Sequence, residues 1–128
     1  MKTKILLVSL ILLSLTMFYS CESNDNPANN NVPSLNVPIL ISPGNNSTVS
    51  TLQPLFDWSD AASRYRIQIS GNHAFTNIVL DTSGLVSSQF SSPASLLNDG
   101  GFYFWRVKGI NSADTTDWSS QFLFSPLL

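Results

Sequence analysis

From Val37 onward this chain is built of short apolar runs separated by turn residues about every 8–12 positions, and no stretch there carries a helical period. That punctuation confines the fold to short strands. Pro38 to Ile41 runs into Ser42, Pro43, Gly44, Asn45 and Asn46, a dense turn cluster. Leu55 to Trp58 closes on Ser59, Asp60 and Ala61. Tyr65, Ile67 and Ile69 alternate with Arg64, Arg66, Gln68 and Ser70, the period-two mark of a strand with one buried face. Ile78 to Leu80 and Gln89 to Ser91 are shorter candidates, Phe102 to Ile110 is the longest run, and Gln121 to Phe124 is the last. Seven short strands in about ninety residues predict an all-β, seven-stranded antiparallel sandwich of immunoglobulin-like architecture.

Strand alternation also assigns the core. Tyr103, Trp105, Val107 and Gly109 share one face, which we place inside with Phe56, Trp58, Tyr65, Ile67, Ile69, Phe122 and Phe124. Burying each large side chain is worth roughly 1.5–3 kcal/mol, enough in sum for a sandwich of this size. It has to be enough, because Cys21 is the only cysteine and no disulfide framework exists.

The N-terminal region has a different character. Lys2 and Lys4 precede an apolar run from Ile5 to Tyr19, followed by Ser20 and Cys21. This is the layout of a secretory signal peptide, too short and too abruptly ended for a comfortable membrane span. It resembles a bacterial lipoprotein signal, in which the cysteine becomes the lipidated first residue after cleavage. Phe18 and Tyr19 are bulkier than is usual before that cysteine, a variation familiar in lipoproteins of Bacteroidetes-like bacteria. Ordinary secretion with a free thiol, or a retained N-terminal anchor, are the alternatives. The lipoprotein reading implies a location in the bacterial cell envelope, lipid-anchored to the outer membrane on its periplasmic or its exposed side. Residues 1–20 are then the signal, 21–36 a lipidated cysteine with an Asn- and Pro-rich tether, and 37–128 the folded domain. The tether has almost no apolar residue to offset its ordering entropy, so it is expected to be disordered.

Within the domain, the order of motifs resembles a fibronectin type III domain of the kind found in bacterial surface proteins. Ile41-Ser42-Pro43-Gly44-Asn45 and Pro54-Leu55-Phe56-Asp57-Trp58 are similar to the first two strands of that family. Tyr65-Arg66-Ile67-Gln68-Ile69-Ser70 resembles the third. His73-Ala74-Phe75 followed by Ile78-Val79-Leu80-Asp81 matches the stretch after it. Tyr103-Phe104-Trp105-Arg106-Val107-Lys108 resembles the sixth strand, and Asp117-Trp118-Ser119 before Phe122 and Phe124 the ending. The resemblance implies a tyrosine corner between Leu97 and Tyr103. At Gly109, where the family usually has alanine, it implies a thinner core or a close contact.

The same resemblance makes the third and sixth strands neighbours in one sheet. Arg64, Arg66, Arg106 and Lys108 then share an outward face with Phe104 and, beside it, Phe102. These four are the only basic residues after the signal, against all eight acidic ones, a net charge of −4. Such a balance excludes a phosphate-tracking nucleic-acid binder. An aromatic among arginines suits an anionic glycan or an acidic protein partner. The competing reading is a solvated sheet face whose arginine stems cover apolar surface. If the face binds, Arg66→Ala with Arg106→Ala is expected to abolish binding and leave thermal unfolding nearly unchanged.

No enzyme is expected. His73 is the only histidine and cannot build a zinc site without cysteines. No Gly-x-Ser-x-Gly elbow and no phosphate-binding glycine loop is present, so no catalytic residue, metal or cofactor is assigned. The functional expectation is a non-catalytic binding or adhesion module for a polysaccharide or an envelope protein. The alternative is a structural spacer or accessory subunit that docks another envelope protein by an exposed edge strand.

Overall fold

A computed structural model describes residues 35–128; the signal, Cys21 and tether positions 22–34 lie outside the described residues. The described residues form eight strands and no helix. They are β1 (Leu40–Ser42), β2 (Ser47–Val49), β3 (Leu55–Trp58), β4 (Arg64–Ser70), β5 (Ile78–Leu85), β6 (Gln89–Ser91), β7 (Tyr103–Ile110) and β8 (Phe122–Pro126). A three-stranded sheet has the order β1-β3-β6, and a five-stranded sheet the order β2-β8-β7-β4-β5.

The expectation of seven antiparallel strands is corrected in two respects. An extra strand, β2, is present, and it pairs parallel to β8, Ser47 opposite Phe124 and Val49 opposite Pro126. The cause is local. The turn at Pro43 to Asn46 divides the first strand, leaving β1 on β3 in the small sheet and handing β2 to the large one. Asn46 takes a left-handed φ of 59°, a conformation asparagine tolerates better than most residues. Asn45 Oδ1 then accepts the Leu123 N–H at 3.0 Å and ties the turn to β8.

Between the sheets the aromatic rings meet edge to face. Phe56 of the small sheet lies 5.0 Å from Trp105 and 5.5 Å from Phe124, ring centre to ring centre, and Trp58 lies 5.4 Å from Tyr65. These geometries suit ring quadrupoles and add to the area buried. Strand β7 alternates without a break, with Tyr103, Trp105, Val107 and Gly109 buried and the residues between them half-buried. Phe122, assigned to the core, is only partly buried and packs at its margin against Trp105.

Two tyrosines tie loops to this core. The Tyr103 hydroxyl accepts the Asn98 N–H at 2.9 Å while Leu97 is buried beneath, the arrangement that the resemblance implies. Tyr65 accepts the Ala61 and Ala62 N–H groups at 2.8 and 2.9 Å and donates to Asp60 at 2.9 Å. Gly109 sits at a close contact, since a Cβ there would lie 2.8 Å from the Ala62 Cβ. Gly109→Ala is therefore expected to destabilise the domain by about 1–3 kcal/mol, read as a lower urea midpoint with an unchanged slope.

Candidate functional site

The outward face of the five-stranded sheet collects the residues singled out from the sequence. Register places Arg66 opposite Lys108, Gln68 opposite Arg106 and Ser70 opposite Phe104 across β4 and β7, with Asp81 of β5 on the far side of Gln68. Arg64, at the head of β4, is exposed opposite Ile110. All five candidates, Arg64, Arg66, Phe104, Arg106 and Lys108, thus come to one face.

Two of the four cations, Arg66 and Arg106, already have hydrogen-bond partners within the domain. The Arg66 guanidinium grips Asp81 through two hydrogen bonds, Nε to Oδ1 at 2.7 Å and Nη2 to Oδ2 at 2.6 Å. Gln68 donates its amide to Asp81 Oδ2 at 2.9 Å, and its Oε1 accepts from Arg106 Nε and Nη2 at 3.0 and 2.7 Å. A continuous chain, Arg66 to Asp81 to Gln68 to Arg106, therefore bridges β5, β4 and β7. Gln68 is only 5% exposed although it stands at an outward position. Its burial is tolerable because both ends of the amide are satisfied.

Two aromatic side chains from loops close over this network. The Arg106 guanidinium lies 3.9 Å from the centre of the Phe75 ring and 4.3 Å from that of Trp118. Trp118 also receives the Lys108 ammonium at 4.6 Å and the Arg66 guanidinium at 5.7 Å. Each such contact is favourable through the negative face of the ring. Phe75 is carried in by the turn between β4 and β5. There Asn72 Oδ1 accepts the Thr76 and Asn77 N–H groups at 3.0 and 3.2 Å, and Phe75 adopts a φ of 53°, unusual for a bulky residue.

Trp118 is aimed by its neighbours. Strand β8 pairs with β7 only along Tyr103 to Trp105, which leaves the later β7 backbone short of a strand partner. Hydroxyls fill the gap, with Thr116 Oγ1 accepting the Gly109 N–H at 2.9 Å and Ser119 Oγ the Val107 N–H at 3.0 Å. The Thr116 and Ser119 N–H groups donate back to the Gly109 and Val107 carbonyls at 2.9 and 2.8 Å. With the segment pinned on both sides of it, Trp118 covers the arginines.

The electrostatics follow from this packing. The hydrogen bonds from Arg66 chiefly, then that from Gln68 and the nearby positive charges, hold the Asp81 carboxyl below its usual range against the opposing effect of burial. Arg66 is raised by the same pair. Arg106 is lowered, first by its burial and then by the neighbouring charge of Arg66. Because the folded Asp81 binds its proton less readily than the unfolded chain, its contribution is present above about pH 4 and lost as the pH falls below that. Unfolding measured from about pH 5 to about pH 2 should lose up to about 1 kcal/mol more in the native chain than in Asp81→Asn, a modest figure because the pair is about one-third exposed.

This geometry revises the expectation for the paired arginine change. Arg66→Ala with Arg106→Ala removes a structural network, so unfolding cannot be nearly unaltered. Arg64 and Lys108 make no hydrogen bond or ion pair among the described residues; Arg64 is exposed, and the Lys108 ammonium lies over Trp118. Sequence reasoning passed over Phe75, Gln68, Asp81 and Trp118 as parts of the site. His73 is exposed, its ring edge-on to Phe104 at 6.3 Å.

The same architecture occurs elsewhere. The structure is similar to that of an Fn3-like protein from Clostridium thermocellum, with a TM-score of 0.56 at 14% identity over 71% of this chain and 92% of that one. The domain is fibronectin type III-like in fold. An alpha-L-rhamnosidase of Streptomyces avermitilis, solved with L-rhamnose, matches with a TM-score of 0.47 and 20% identity, over 72% of this chain but 10% of that one. No protein-family model matches the sequence. No curated protein matches it either. In this fibronectin type III-like domain, Phe75, Asp81, Arg106 and Trp118, which come from four separate motifs of the sequence, meet at one place on the outer face.

Proposed function

We propose that this chain is a non-catalytic lipoprotein of the bacterial cell envelope. In this reading the lipid on Cys21 holds it at the outer membrane and the sandwich serves as a binding module for an anionic polysaccharide or an acidic envelope protein. The observation that carries the reading is a pair of cations with no hydrogen bond or ion pair among the described residues, the exposed Arg64 and the half-buried Lys108 over Trp118, on a sheet face that also carries Phe104 in an otherwise acidic domain. Beneath them the ion pair, the buried glutamine and the stacked Arg106 hold the sheet, so a ligand meets a surface already organised. The roles therefore divide, with Arg66 and Arg106 supporting and Arg64 and Lys108 reading charge.

Retention of the full chain, in detergent, on immobilised polygalacturonate tests this division. The native chain should be retained at low salt and released as salt screens the contacts, and Arg64→Ala with Lys108→Ala should pass through while losing no more than about 1 kcal/mol of stability, the Lys108 contact with Trp118. Equal retention of the variant would contradict the reading. Mass spectrometry of the membrane form should find an acylated Cys21 as the first residue.

The spacer reading draws on β5, an eight-residue edge strand paired on one side only, which offers a backbone ladder to a partner strand. Recovery of one stoichiometric envelope protein with the solubilised chain, and no polysaccharide retention, would favour it.

A further inference from the structure

A groove of about 230 Å³ lies at the other margin of the same sheet, where β2 runs beside β8. Its lining includes Asn46, Ser47, Thr48, Phe102, Leu123 and Ser125, with no charged residue among them. Phe102 is 67% exposed, the most exposed aromatic residue among the large hydrophobics of the domain, and stands two positions before Phe104. A phenyl ring left in water at the mouth of a groove costs solvation that a flat apolar partner would recover.

We propose that this groove is a subsite for one neutral pyranose unit of a glycan, seated with its C–H face on Phe102 and its hydroxyls toward Asn46, Thr48 and Ser125. The chemistry selects this class in three ways. The negative face of an aromatic ring attracts the polarised C–H bonds on the apolar face of a β-linked hexose. Amide and hydroxyl side chains both donate and accept, matching a polyol, whereas an anion would find no cation in the groove. The volume falls below the about 300–1,000 Å³ of pockets for drug-sized ligands, which suits a single ring of a longer chain running out along the face. Polar contacts to backbone and side chains keep the lining in place, since Asn45 beside it is tied to Leu123 and the Ser47 N–H donates to the Gly44 carbonyl. The subsite is separate from the Arg64 and Lys108 pair, and either can fail without the other.

Amide spectra of the isotope-labelled full chain in detergent, titrated with cellotetraose, test it. Saturable changes are expected at the amides of Asn46 to Thr48, Leu123 and Ser125, with a dissociation constant of about 1 mM. Phe102→Ala should weaken that binding about tenfold or more, while Arg64→Ala with Lys108→Ala leaves it as it was. Because Phe102 is exposed, the variant should unfold at the native midpoint, which the same sample reports. Absence of saturable change at these amides up to about 10 mM sugar, or equal binding by Phe102→Ala, overturns the proposal.

Discussion

Phe56→Ala is expected to lower the unfolding free energy by about 3–5 kcal/mol, the largest loss of any single change considered. Phe56 is fully buried and is the ring through which the three-stranded sheet reaches both Trp105 and Phe124 of the five-stranded one. Its loss opens a cavity where two sheets meet, and neither can close on it without moving the other. With no disulfide available within the domain, nothing covalent limits the damage. Urea unfolding followed by tryptophan fluorescence reads the effect directly, since Trp105 reports from the edge of the vacated space.

Arg106→Ala is expected to cost about 2–3 kcal/mol, far more than a surface charge usually does. The change removes two donors to Gln68 Oε1 and leaves that buried oxygen unpaired. It also removes the flat cation that lies against Phe75 and Trp118, so both rings lose their packing partner. Arg106→Lys should recover little, because an ammonium lacks the planar fork that serves the amide and the rings together. Arg64→Ala, on the same face, should stay within about 0.5 kcal/mol of the native chain. That contrast separates cations that hold the sheet from cations that face solvent.

The parts of this fold that were legible in the sequence are those governed by alternation. Phe102 to Ile110 and Arg64 to Ser70 carry an unbroken period of two; burial follows it along all of β7 and along β4 as far as Ile67, beyond which Gln68 and Ser70 are buried as well. The Tyr103 corner and the tight spot at Gly109 followed from the resemblance and are present. Strand β2 was not legible. Ser47, Thr48 and Val49 show no apolar alternation, and their partner β8 lies more than seventy residues away, held by the Asn45 side chain. Nor did alternation reveal what covers the arginines. Phe75 and Trp118 reach them from loops, one through a left-handed backbone position and the other through paired hydroxyls at Thr116 and Ser119. Loop direction of that kind depends on three-dimensional closure and leaves no period in the sequence. Gln68 illustrates the same point, since a glutamine at an outward position reads as solvated until Asp81 and Arg106 are seen on either side of it.

Arg106 and Trp118 act as one unit that braces the outer face of the five-stranded sheet. A double-mutant cycle of Arg106→Ala and Trp118→Ala, read by urea unfolding, addresses it most directly. A coupling of about 1 kcal/mol or more, with the double variant less destabilised than the two single changes together, is the result expected. Additive losses within about 0.3 kcal/mol would contradict the claim and make the stacking incidental to the fold.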